Sequence, residues 1–275
     1  MFNFPPKYRG KSVLHLQDGF LNLMYPHGLI PEKGCSDMGE KIIGILGGMG
    51  PEATADLYYR IVKATPVERD QDHPSTVIYS NSKVPDRTPA ITGGGESPLP
   101  EMLMAARSLE GAGADFIIIP CNTAHYFIEE LRSELGIPVL HMIEMTARHV
   151  AGEYPDARAV GLIATDGTLR SGIYERFFGE AGMEVLVPTA DLQSRAMEAI
   201  YEHIKKGDLD TGRKISLDVA RELVERGADL VICGCTEISL VLKDGDIAVP
   251  VVDPLQVLAE VAVRVGRGDL EPGDV

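Results

Sequence analysis

The chain has 275 residues, 44% of them hydrophobic and 24% charged; these are ordinary globular proportions and exclude disordered and collagen-like architectures. Its 41 acidic and 26 basic residues leave a formal charge of -15, which repels phosphate backbones and anionic lipid, so no nucleic acid and no membrane is expected as partner. Four cysteines are too few for a disulfide scaffold and point to a reducing, cytoplasmic setting.

Residues 1 to 40 form an N-terminal extension with Pro5, Pro6, Pro26 and Pro31, scattered aromatics and neither strand nor helix periodicity. Leu21 to Pro26 is too short and too broken for a secretory core, and the extension is expected to be a flexible tail. Regular structure is predicted from Lys41. Ile42 to Leu46, Thr76 to Tyr79, Phe116 to Ile119 and Val139-Leu140 read as buried strands. So do Ala159 to Ile163, Val185 to Val187, Leu230 to Cys233 and Val249 to Val252. Helical patterns lie between them, as in Glu52 to Thr65, where Leu57, Tyr58, Ile61 and Val62 share one face. Strands buried on both faces and alternating with helices predict an α/β fold of parallel sheets covered on both sides.

The sequence repeats itself. Gly113-Ala114-Asp115 leads through an apolar run to Cys121, and Gly227-Ala228-Asp229 leads to Cys235 at the same spacing. A glycine-containing strand precedes each cysteine and a proline-containing strand follows it. The halves thus read as two pseudo-twofold-related domains, each a four-stranded parallel sheet flanked by helices. Residues 41–141 with 253–268 would form the first domain and 142–252 the second. Ligands of open parallel sheets bind beyond the carboxyl ends of the strands. Cys121 and Cys235 both sit at such ends, so the two halves would present two thiols to one cleft.

A thiolate is a competent base and a thiol a competent acid near neutral pH. Each cysteine precedes a helix start, with Asn122, Thr123 and Thr236 as cap candidates, and a helix N-terminus favours both a thiolate and a bound carboxylate. An acid and a base on opposite faces of one carbon are what stereoinversion needs. Cys233 reads as an ordinary buried residue. Cys233-Gly234-Cys235 has no second pair nearby, so no metal is expected. Gly48-Met49-Gly50-Pro51-Glu52-Ala53 fits the dinucleotide fingerprint, but the following strand ends in Ser80-Asn81-Ser82-Lys83 without the acidic ribose ligand. That loop is read instead as a wall contacting a carboxylate, with Met49 in it.

Ile119-Pro120-Cys121-Asn122-Thr123-Ala124-His125 and Gly234-Cys235-Thr236-Glu237-Ile238 resemble the two signatures of the aspartate/glutamate racemase superfamily. The resemblance extends roughly from Lys41 to Arg264. It implies that Cys121 and Cys235 are the proton donor and acceptor pair, and that Asn122, Thr123 and Ala124 hold the substrate's carboxylate and amino group. Val84-Pro85-Asp86-Arg87-Thr88 and Ile204-Lys205-Lys206-Gly207 resemble aspartate racemase segments. They imply that Arg87 and Lys205, with Lys206 as rival, contact the substrate's second carboxylate. The resemblance further implies an amino-acid racemase without cofactor, in particular without pyridoxal phosphate, acting on a small amino acid as a homodimer. Glutamate racemase, broad-specificity racemase, maleate cis–trans isomerase and a non-catalytic amino-acid binding protein are the alternatives.

Overall fold

The computed structural model describes residues 39–275; the N-terminal extension lies outside the described residues apart from Gly39 and Glu40. Two parallel sheets form. In the first, β1 (Ile43–Gly47) lies between β2 (Thr76–Ser80) and β3 (Phe116–Ile118). In the second, the order is β5 (Glu184–Leu186), β4 (Ala159–Ala164), β6 (Leu230–Gly234) and β7 (Val251–Val252). All pairings are parallel.

The fourth strand predicted for the first sheet shrinks to a single bridge, Ile117 to Val139. Ile117 donates to the Pro138 carbonyl and Leu140 donates back to Ile117. Pro138 has no N–H with which to extend the ladder, and His141 already caps the next helix by accepting from the Glu144 amide. The first sheet therefore has three strands and the second has four.

The helices are α1 (Pro51–Ala64), α2 (Arg87–Thr92), α3 (Leu99–Gly111), α4 (Ile128–Ser133) and α5 (Met142–Glu153) in the first half. They continue as α6 (Asp166–Ser171), α7 (Ile173–Glu180), α8 (Ala190–Glu198), α9 (Leu209–Glu225), α10 (Thr236–Val241) and α11 (Pro254–Gly266). The inner faces of both sheets share one apolar core. Ile43 and Ile45 of β1, Leu57 and Ile61 of α1, Leu162 of β4, Ile232 of β6 and Leu258 of α11 belong to it. Each sheet has its own outer layer as well: Leu46 and Ile117 meet Met102 and Leu109 of α3, while Ile163 and Val231 meet Val219 and Leu223 of α9. Burial on both faces is why these strands read as continuous Ile, Val and Leu runs.

The repeated Gly-Ala-Asp has a structural cause. Gly113 and Gly227 adopt φ +92° and +99° at the ends of α3 and α9, a conformation open mainly to glycine. A Cβ on Gly44 would lie 2.9 Å from the Ala114 Cβ, and one on Gly161 would lie 3.2 Å from the Ala228 Cβ. The small residue of the turn lets the central strand of each half approach its helix. The aspartate then locks strand entry: Asp115 accepts from the Ile42 amide at 2.8 Å, and Asp229 from the Arg158 and Ala159 amides at 2.7 and 2.9 Å. Identical turns feed β3 and β6, so the segments that carry Cys121 and Cys235 leave their sheets in equivalent places.

A polar joint ties α1 to the starts of α10 and α11. Asp253, the cap of α11, accepts from Arg60 of α1 at 2.6 Å and from Ser239 of α10 at 2.7 Å. Burial opposes the Arg60 charge, but Asp253 and Asp56 outweigh it and hold its pKa above the usual value. No helix among the described residues is long and apolar enough to cross a membrane.

Candidate active site

Cys121, Asn122 and Thr123 follow β3 and open a short 3-10 turn, Thr123–Phe127. Across from them, Cys235 follows β6 directly and occupies the cap position of α10. Both thiols line one small cavity of about 20 Å³, with Met49, Arg87, Lys205 and Thr236 also on its wall. That cavity shares Met49, Arg87, Lys205, Thr236 and Glu237 with an outer cavity of about 490 Å³ that is more open to solvent. The structure thus gathers the sequence-predicted residues at one place, with a single exception. Ala124 is fully buried in the apolar cluster with Ile117 and Leu131 and is not on the cavity wall.

Two further expectations need correction. Asn122 and Thr236 are not side-chain caps: neither helix start has a capping side-chain hydrogen bond, and Thr236 is the first residue of α10 rather than its cap. The Thr236 hydroxyl instead donates to the Glu237 carboxylate at 3.2 Å. Nor does the start of α10 make Cys235 a ready thiolate. Burial, followed by the Glu237 charge, pushes its pKa well up, and Lys205 opposes this only in part. Cys235 is a thiol in the resting protein, donating from Sγ to Glu237 Oε2 at 2.9 Å.

Arg87 begins α2, whose cap, Asp86, accepts from the Thr88 amide at 3.0 Å. Its guanidinium donates to the Pro85 carbonyl at 3.1 Å and the Met49 carbonyl at 3.2 Å, which fixes the fork against the β1–α1 loop. Burial works against the charge, but Cys121 and Asp86 beside it hold the Arg87 pKa above its usual value. The two cysteines therefore have opposite neighbours: a guanidinium beside Cys121 and a carboxylate beside Cys235. Lys205 sits 3.8 Å from Glu237 and 4.2 Å from the Tyr201 ring centroid. Lys206 turns away and pairs with Glu202 at 2.5 Å in an exposed bridge, which settles which of the adjacent lysines faces the cavity.

Asn122 is oriented from behind. Tyr174, fully buried, donates to Asn122 Oδ1 at 2.6 Å. Burial pushes the Tyr174 phenol well up, so it stays a donor. The amide is thereby set with its Nδ2 buried and without a hydrogen-bond partner, and Arg87 Nε is in the same condition. Thr123 meets Thr165 and Thr168 of the second half in a buried triangle of hydroxyls at 3.0, 2.9 and 3.1 Å. Sequence reasoning missed Thr88, Thr165 and Tyr201 on the cavity wall. A signal did exist for Tyr201, which precedes Lys205 by one helical turn.

The glycine loop is shaped for the chain itself. Gly48 has φ +93°, and a Cβ there would fall 2.2 Å from the Asn81 backbone. Thr54 closes the loop by accepting from the Gly48 amide at 2.9 Å and donating to the Gly50 carbonyl at 2.8 Å. These bonds hold the Met49 carbonyl where Arg87 reaches it.

The family model described as Asp/Glu/Hydantoin racemase matches residues 46–262, most of the chain and both cysteine segments. The chain belongs to this family. A broad specificity amino-acid racemase of Bacillus subtilis is 30% identical over 232 residues, covering 81% of this chain and 96% of that one. A glutamate racemase of Aquifex pyrophilus is 31% identical over 143 residues, 52% of this chain and 54% of that one. Among solved structures, the Picrophilus torridus aspartate racemase superposes with a TM-score of 0.75 at 30% identity, covering 82% of this chain and 94% of that one. The protein is a racemase of the two-sheet α/β type.

Behind Cys121 the racemase holds a neutral histidine. His125 Nδ1 donates to the Cys121 carbonyl at 2.8 Å, and its Nε2 accepts from the Met142 amide at 3.1 Å. A second proton would point Nε2–H at an N–H donor. Burial, helped by the Arg132 charge and opposed by the bond to the Cys121 carbonyl, pushes the His125 pKa down to about 4. The unfolded chain takes up the proton near the ordinary value of about 6.5, so the stabilisation is complete above that pH and lost as pH falls toward 4. The expected loss is on the order of 3 kcal/mol. Urea midpoints measured from pH 7 to 4 should show it. In His125→Gln, where the amide can donate and accept in place of the ring but cannot titrate, the slope should be visibly shallower.

Proposed function

We propose that this racemase interconverts L- and D-aspartate by two-base proton transfer at Cα, with Cys121 and Cys235 as the bases and without pyridoxal phosphate. The observation that carries the reading is the pair of buried donors without partners, Arg87 Nε and Asn122 Nδ2, on the wall shared by both thiols. A buried donor left unpaired costs about 1–3 kcal/mol. Two of them beside one small cavity suit a ligand that brings carboxylate oxygens at two points. Asn122 Nδ2 would donate to the α-carboxylate, with Thr123 beside it. Arg87 and Lys205 would hold the side-chain carboxylate. Met49 and Thr236 would form the walls on either side.

The contrasting neighbours give the thiols their starting roles. Cys235, a thiol held against Glu237, is the proton donor. Cys121, beside the Arg87 guanidinium, is the base. Cys121 takes the α-proton from the enantiomer that presents it, the electron pair stays on Cα next to the held carboxylate, and Cys235 delivers its proton to the opposite face. After inversion Cys121 carries the thiol proton and Cys235 is the thiolate, ready for the reverse direction. A substrate with two carboxylates and a net negative charge enters a strongly acidic protein only where cations face it, as Arg87 and Lys205 do here.

The test is incubation of L-aspartate with the protein in deuterated water, read by chiral chromatography and mass spectrometry. D-aspartate should form with one deuterium at Cα. Turnover of glutamate in preference to aspartate would overturn the substrate assignment and leave the two-base chemistry standing. A homodimer, expected from the family resemblance, belongs to this reading as well.

A further inference from the structure

Tyr201 lies on neither signature segment, and the proton transfer does not use it. It sits in a π-helical turn, Ala199–His203, inserted between α8 and the 3-10 turn Ile204–Lys206. Such insertions often mark functional positions because they re-aim one side chain. The Tyr201 hydroxyl reaches across to the first half, 3.2 Å from Asp86 Oδ2 and 3.3 Å from Thr88 Oγ1. Those residues flank Arg87 on either side. Burial pushes the Tyr201 phenol up, so the hydroxyl remains a donor at neutral pH. The face of the same ring lies 4.2 Å from Lys205 Nζ. One side chain thus touches the setting of both cations, and it lines the inner cavity with the thiols but not the outer one.

We propose that Tyr201 is a specificity-determining residue: tethered to Asp86 and Thr88 and seating Lys205 on its ring, it fixes the span between the two cations and closes the inner cavity to side chains longer than that of aspartate. This rests on the aspartate reading above. The tether spans the two halves, so it limits how far Lys205 can retreat from Arg87 when a ligand widens the cavity. A glutamate side chain carries one more methylene and drives its carboxylate against the ring. A single methylene in a fitted pocket discriminates by about 10- to 200-fold.

The experiment compares kcat/KM for aspartate and glutamate in the full chain, Tyr201→Phe and Tyr201→Ala. Tyr201→Phe keeps the ring and its cation contact but loses the tether. It should lower the aspartate-to-glutamate ratio at least fivefold, chiefly through a higher KM for aspartate. Tyr201→Ala also removes the wall and should raise glutamate turnover in absolute terms, a gain that a folding defect cannot produce. A Phe variant whose ratio stays within twofold of the parent overturns the assignment, as does equal loss of both substrates in the two variants. A parent protein with no aspartate preference fails at the first measurement; it removes the aspartate reading, and the Tyr201 assignment with it.

Discussion

Cys121→Ala and Cys235→Ala should each reduce inversion of aspartate by ~10²–10⁴-fold, the usual effect of losing a general acid or base. On the proposed two-base reading each enantiomer needs one thiol to remove the proton and the other to replace it, so neither direction should survive loss of either partner. The double variant should be scarcely worse than the singles, because residues acting as one unit are not additive. Cys233→Ala supplies the control. Cys233 is fully buried in β6, does not line the cavity, and its thiol donates over a long 3.9 Å to the Leu242 carbonyl. Its turnover should match the parent. Near-parental racemisation by either Cys121→Ala or Cys235→Ala would remove the two-base assignment.

Replacing Arg87 tests substrate choice. Truncating one member of a desolvated charge pair costs ~2–5 kcal/mol, so Arg87→Ala should lower kcat/KM for aspartate by roughly 30- to several thousand-fold. The loss should be selective. Alanine has no second carboxylate to leave unpaired, and its turnover, however slow, should be spared. Arg87 also braces the Met49 and Pro85 carbonyls, which is why the comparison matters: a purely structural arginine would depress alanine and aspartate alike. Arg87→Lys, which keeps the charge but not the fork, should fall between parent and Ala variant. Relatives with glutamate and broad-specificity names make the same panel decisive for the substrate class.

What the sequence discloses about this fold is what local repetition encodes. Buried strands, their parallel order and the equivalence of Cys121 and Cys235 follow from apolar runs and from a turn, Gly-Ala-Asp, whose three residues each have a backbone task. The features that escape sequence reasoning depend on residues far apart in the chain. Pro138 halts a fourth strand because the neighbouring helix cap at His141 competes for the same few residues. Ala124 matches the site signature yet serves the apolar core beneath it. Tyr201 and Thr165 reach the cavity only because the second half folds over the first. The Arg60–Asp253 joint likewise links positions with no shared periodicity.

The hydroxyl triangle of Thr123, Thr165 and Thr168 has a consequence for how the two halves part. Each hydroxyl gives one hydrogen bond and takes another, and the circuit can run in either sense. A water molecule slipped between two of the three would lengthen the circuit without orphaning any member, and a bridging water is nearly as good as a direct bond. A seam built this way gives up little enthalpy when it is wetted, whereas a seam of opposed charges would resist parting and respond to ionic strength. At this contact, any separation of the two segments should be nearly indifferent to salt.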